Sequence, residues 1–257
     1  MVQAAFSAKT ALLAQQNRLN VIANNMSNLD TAGFKSSRVD FKDTLYNTIK
    51  RTEEMEDNAN LQLGSGVMVG ATSLSMENGV PVGTDAPLDF CLSGAGFFTL
   101  KGADGAKLYT RDGTFAVSNV NGTRYLVNAQ GLFVLDKSGN SISLPAEGKA
   151  EQLVCNEKGE LFINGSKTPF ATLGVSEFPN PGGLESVGGN CFVETAASGA
   201  AKSSDKATVL QGFYESSNVD LALEMTRLIR AQRAFSFAAR ALTTADEMDA
   251  MANNLRT

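Results

Sequence analysis

The sequence predicts an α+β protein: long N- and C-terminal helices paired in a coiled-coil-like domain, with an antiparallel β-rich middle domain. Three observations lead there. All 24 glycines lie between Gly33 and Gly212, and all six prolines between Pro81 and Pro181. These two residue types are the least compatible with helix interiors, so both ends are free to be helical and the middle is not. The breaker-free ends carry apolar residues at alternating steps of three and four, and the middle carries Asp-Gly and Asn-Gly pairs between short β-prone runs.

At the N-terminus, Met1, Ala5, Ala8, Leu12, Gln15, Leu19, Ile22, Met26 and Leu29 form a 3.5-residue repeat over four heptads. Such a repeat keeps a narrow apolar stripe facing a partner helix, and small alanines permit close approach. Gln15 is the polar intruder. Gly33 closes the segment, because glycine takes the left-handed conformation that ends helices. The helix carrying this stripe, Met1 to Leu29, would be about 43 Å long at 1.5 Å per residue, within a terminal segment of residues 1–32. The stretch 33–80, with charges from Lys50 to Asp57 and glycines at Gly64, Gly66 and Gly70, reads as an extended connecting segment with little regular structure before Val67.

The middle, residues 81–212, reads as a β-rich outer domain. Asp104-Gly105, Asp112-Gly113, Asn121-Gly122 and Asn164-Gly165 supply the positive φ of tight hairpins. They separate runs at Phe97 to Leu100, Leu108 to Arg111, Thr114 to Val117, Thr123 to Val127, Leu132 to Leu135, Leu161 to Ile163 and Phe170 to Val175.

The C-terminal part, 213–257, completes the helical domain. Ser216, Ser217 and Asn218 offer N-cap oxygens, and Asp220 and Glu224 suit the positive start of a helix. The stripe runs Leu221, Met225, Leu228, Ala231, Phe235, Ala238, Leu242, Ala245, Met248, Ala252 and Leu255, in a rod of about 55 Å. Two such helices could pair as a closed hairpin. A lone pair buries little surface, however, so bundling many copies would stabilise both stripes better.

Composition narrows the function. The 257 residues include no histidine, which removes Ser-His-Asp and Cys-His arrangements and most zinc sites. A net charge of -5 leaves no surplus of cations for a phosphate backbone, so nucleic acid is not an expected partner; no small-molecule substrate is expected either. Cys91, Cys155 and Cys191 are odd in number and far apart, and read as small buried hydrophobes. No stretch reaches the 18 or so apolar residues of a membrane span, and the first 30 residues lack a secretory signal's apolar run.

Gly94 and Gly96 superficially suggest a phosphate loop, but no Lys-Ser or Lys-Thr follows, and a strand-entry turn is the better reading. Asp85, Asp89, Asp104 and Asp112 lack calcium-loop spacing and sit where aspartate bonds its own turn. No cofactor, metal site or catalytic residue is expected. Asn20, Asn24, Asn25 and Asn28 cluster inside a helix they do not favour. Either the helix frays there, or the amides bond across subunits and set register.

The run from Leu19 to Lys35, Leu-Asn-Val-Ile-Ala-Asn-Asn-Met-Ser-Asn-Leu-Asp-Thr-Ala-Gly-Phe-Lys, resembles the signature of the axial proteins of the bacterial flagellum, the rod and hook subunits. The resemblance continues through Pro87-Leu88-Asp89, Gly94 to Phe98 and Tyr109 to Phe115, and closes with Leu210 to Asp220 and Gln232 to Phe235. Chain length and the Leu184 to Gly188 stretch look most like the distal rod members, with a proximal rod or hook-type paralogue as the alternative. The segment from Lys50 to Leu63 is shorter than is typical, and Phe90-Cys91-Leu92, Phe235 and Phe237 depart from the usual pattern.

The resemblance implies a non-enzymatic subunit that self-assembles helically into a hollow, torque-transmitting shaft. It would contact other rod and hook proteins and leave the cytoplasm through the flagellar export apparatus without a cleaved signal peptide. The expected assembly residues are Leu12, Leu19, Ile22, Met26, Leu228, Phe235 and Leu242 for helix packing, and Asn24, Asn25 and Asn28 for register. Gly33 and Phe34 would set the exit from the helix. A secreted β-domain binding module, with exposed aromatics on one β face, is the reading from a different class. A carboxylate-only enzyme would need two facing carboxylates about 5 to 9.5 Å apart.

Overall fold

The computed structural model describes residues 2–48, 62–102, 104–145, 152–163, 166–204 and 207–254. Met1, Leu255, the stretch from Lys50 to Asp57 and the Asn164-Gly165 pair lie outside them. The chain divides into two compact units, one of 1–27, 37–74 and 220–257, the other of 28–36 and 75–219.

In the first unit, α1 (Val2–Ser27) and α2 (Leu221–Asn254) pack together. Each is uninterrupted because no glycine or proline falls inside it. The start of α2 differs from expectation: Asp220 is the capping residue, its carboxylate accepting from the N–H groups of Ala222 (2.9 Å) and Leu223 (3.1 Å).

The connecting segment also needs correction. Strand β1 (Ser37–Asp43) pairs antiparallel with β4 (Val67–Leu74), and β2 (Tyr46–Thr48) with β3 (Gln62–Gly64), so much of 33–80 is a two-stranded ribbon. The pairing stabilises residues whose own pattern, Arg38, Val39, Asp40, Phe41, Lys42, alternates polar and apolar as a strand should. The ribbon packs on α1 through β1 and β4.

The second unit is the β body. Its main sheet has ten antiparallel strands, with Phe97–Lys101 and Lys107–Thr110 near the centre and Glu185–Gly188 at one edge. Smaller sheets join Leu153–Cys155, Glu160–Ile163 and Ala171–Thr172, and pair Thr208–Gln211 with Phe90–Ser93. Phe213–Glu215 is a strand paired with Pro81–Gly83, so the residues before Asp220 belong to the body and not to the helical part. The core holds Phe90, Phe98, Leu100, Leu126, Val134 and Leu161, none exposed, and Phe98 meets Phe115 edge-on at 5.3 Å between centroids.

Asn121 (φ 54°) and Gly122 (φ 82°) turn Ala116–Val120 into Thr123–Val127 as anticipated. Asp112-Gly113 does not form such a hairpin. The Asp112 carboxylate accepts from the Thr114 N–H (3.0 Å) and hydroxyl (2.7 Å), and a Cβ on Gly113 would lie 1.7 Å from the Phe90 carbonyl oxygen. Gly113 is therefore a close-approach glycine. Phe170 to Val175, expected as one run, splits into Ala171–Thr172 and the start of Val175–Glu177.

Candidate assembly surfaces

The α1 side chains divide between two neighbours. On the stripe read from the sequence, Ala8 and Ile22 are buried and Leu12, Leu19 and Met26 half-buried, while on α2 Ala231 and Ala245 are buried and Leu228 and Leu242 half-buried. Small residues at the tightest positions let the helix axes come close. Phe235 is 36% exposed, and Leu221, Met225 and Met248 are exposed, so the predicted α2 stripe is wider than the buried one.

A second α1 face, not read from the sequence, meets the ribbon. The Thr10 hydroxyl accepts from the Val67 N–H (3.4 Å), and a Cβ on Gly66, where φ is +112°, would fall 2.3 Å from it. The Arg18 guanidinium lies 5.8 Å from the centre of the Phe41 ring. Asn25, fully buried, donates to the Ser37 carbonyl (2.8 Å) and accepts from the Ser37 N–H (2.9 Å). Both ends of its amide are used inside the chain, so the inter-subunit role expected of Asn25 is corrected to an anchor for β1. Asn24 is exposed, and Asn28 accepts from the Thr31 hydroxyl (3.2 Å).

Arg18, Val21, Ile22, Ser37, Val39 and Glu224 help line a 140 Å³ cavity in this unit. Glu224 is buried and pairs with Arg227 at 2.5 Å, but its second carboxylate oxygen has no hydrogen-bond partner among the described residues, and neither has the Gln15 side-chain oxygen. Unpaired buried polar atoms are costly. Outward from the helix pair, Phe6 and Leu13 on α1 and Ile229, Phe237, Met248 and Met251 on α2 are all exposed, Phe237 by 67%. Beyond Ala245 no described residue of α2 is buried.

The exit from α1 is built in the β body. Gly33 has φ +67°, its N–H donates to the Glu215 carbonyl (2.8 Å), and a Cβ there would sit 2.5 Å from the Asp112 nitrogen. Phe34, half-buried, accepts from the Asn218 N–H (3.4 Å). Next to it, Lys35 is buried and donates to the Glu215 carboxylate and the Glu77 carbonyl, both at 2.6 Å. The other Glu215 oxygen takes Arg111 at 3.2 Å, and the first also accepts the Gly79 N–H (2.7 Å). Burial pulls the Lys35 ammonium below the usual lysine range, against the attraction of Glu215.

This triad of Lys35, Arg111 and Glu215 was missed because nothing local joins positions so far apart. The cysteines are free: Cys91 and Cys191 are buried, Cys155 half-buried, and burial raises all three thiols, Cys91 to about 11 and Cys155 to about 12. Among the described residues, no group of three or more histidine, cysteine or acidic side chains is placed to hold a metal ion.

Comparison with known proteins defines the class first. Residues 7–35 match the family described as flagella basal body rod protein, residues 91–163 the flagellar hook protein FlgE/F/G D1 domain, and residues 210–255 the flagellar basal body rod FlgEFG protein C-terminal family. The chain is 36% identical to the flagellar basal-body rod protein FlgG of Borreliella burgdorferi, over 100% of this chain and 99% of the relative. It is 35% identical to FlgG of Caulobacter vibrioides, over 99% and 100%, and 29% identical to the flagellar hook-basal body complex protein FlhP of Bacillus subtilis, over the whole of both. The chain belongs to the flagellar basal-body rod protein family, as a structural member most similar to its distal rod type.

Proposed function

We propose that this chain self-assembles helically, through α1 and α2, into a hollow shaft that transmits torque within the flagellar basal body. It joins other rod and hook proteins there, and it reaches the site through the flagellar export apparatus. The reading rests on one observation: after α1 and α2 have packed together, large apolar side chains remain exposed along the outside of both helices. A surface of that kind on a soluble chain marks an interaction site. A head-to-tail interface that does not close would convert it into a filament. No catalytic role is assigned, and the half-buried positions Leu12, Leu19, Met26, Leu228 and Leu242, with Ile22 and Phe235, are the proposed packing residues.

Among the described residues, no helix is long and apolar enough to cross a membrane. The test is Leu19→Asp in cells carrying only that variant. A buried charge in the helix packing is costly, so basal bodies should lack a complete rod and motility should be lost, while the purified variant keeps a folded β body. Normal rods in those cells would overturn the reading.

A further inference from the structure

The charges on α2 are sorted along its length. Arg227, Arg230, Arg233 and Arg240 fall in its first twenty residues, against Glu224 alone, whereas Asp246, Glu247 and Asp249 follow with no described cation among or after them. Neither half suits an isolated helix. Arginines three apart repel one another, and acids near a C-terminus face the negative end of the helix dipole. Arg230, Arg233, Arg240, Asp246 and Glu247 are exposed, Asp249 is half-buried, and none of the six makes an ion pair with another described residue. The two clusters cannot satisfy each other within one helix. Their centres are about 14 residues, or about 21 Å, apart at 1.5 Å per residue, beyond the screening length of about 8 Å at physiological salt.

The acidic cluster also begins where burial stops. Leu242 is half-buried and Ala245 buried, and the same three-and-four stepping continues to Asp246 and Asp249 in a stretch where no described residue is buried. On the basic side, Phe237 and Arg240 lie four and seven residues after Arg233, which places apolar and cationic groups on one exposed face.

We infer that the acidic end of α2, Asp246 to Asp249, docks on the Arg230, Arg233 and Arg240 face of α2 in a second copy of this chain. The inference rests on the self-assembly reading and deepens it. Neighbouring α2 helices then run parallel with an axial offset of about 21 Å. Exposed ion pairs add little affinity and chiefly select partner and register, so Phe237, Met248 and Met251 carry the attraction and the charges choose the offset.

The test uses two full-length variants: Asp246→Lys/Glu247→Lys/Asp249→Lys, and Arg230→Glu/Arg233→Glu/Arg240→Glu. Each repels its own copies, and far-UV circular dichroism confirms that α2 persists. Alone, each should need at least tenfold more protein than the wild type to form sedimentable polymer. Mixed in equal amounts they should co-polymerise near the wild-type threshold, because each end now meets its opposite charge. Either variant polymerising alone as well as the wild type, or a mixture no better than its parts, would overturn this inference. A wild-type chain that stays monomeric at every concentration would instead overturn the self-assembly reading beneath it.

Discussion

The β body and the helix pair spend their large apolar side chains in opposite ways. In the body, Phe90, Phe98, Leu100, Leu126 and Leu161 are fully enclosed, and its buried charges Lys35, Arg111 and Glu215 pair with one another, only the Arg111 Nε among them having no hydrogen-bond partner among the described residues. On the helices, the buried positions are held largely by small residues, Ala8, Ala14, Ala231 and Ala245, while Phe6, Leu13, Ile229 and Phe237 face outward. The body is complete as a folded object. The helix pair leaves its outer apolar residues uncovered, which is what the proposed assembly would cover.

That contrast can be broken most forcefully in the body. Glu215→Ala leaves Lys35 and Arg111 as buried cations without their carboxylate, and should cost about 3–5 kcal/mol. Thermal unfolding of the body should shift down sharply, with α2 helicity in the polymer affected only secondarily. Gly33→Ala is next: the side chain would enter Asp112 backbone at a positive φ, at a cost of roughly 1–3 kcal/mol, measurable by chemical denaturation.

Alkaline pH gives a smaller effect, in which the raised thiols and Tyr109 outnumber Lys35, whose lowered ammonium acts with the opposite sign. Cys91, Cys155, Cys191 and Tyr109 all have folded-state values raised by burial, Tyr109 to about 12. The unfolded chain therefore loses these protons first, and stability falls as pH rises above about 9, the ordinary thiol value. The helices contain no cysteine or tyrosine, so the body's melting temperature should drop between pH 9 and 11 without a matching contribution from α1 or α2. Smallest in stability is Phe237→Ser, expected to change monomer unfolding by less than about 0.5 kcal/mol, yet to weaken polymer formation in sedimentation.

Much of the architecture was legible because its signals are local. The breaker-free ends announced both helices, and Asn121-Gly122 announced its hairpin. What escaped depends on pairing across distance. Arg38 to Lys42 alternates as a strand should, but its partner from Val67 follows a long intervening stretch, so the ribbon was read as a connection. Asn25 is satisfied by the backbone of Ser37, which no periodicity points to. For the assembly surface, spacing alone marked Leu228, Ala231 and Leu242 and also marked Leu221, Met225 and Met248, because a stripe pattern does not say where the partner helix ends.

The central claim is that the terminal helices are assembly elements while the body stands alone. Amide hydrogen exchange on dilute monomer and on polymer tests it most directly. Residues 2–27 and 221–254 should exchange readily in the monomer and become protected in the polymer, with the body protected in both. Terminal helices already strongly protected in a monomer that never polymerises would contradict the account and describe a closed hairpin instead.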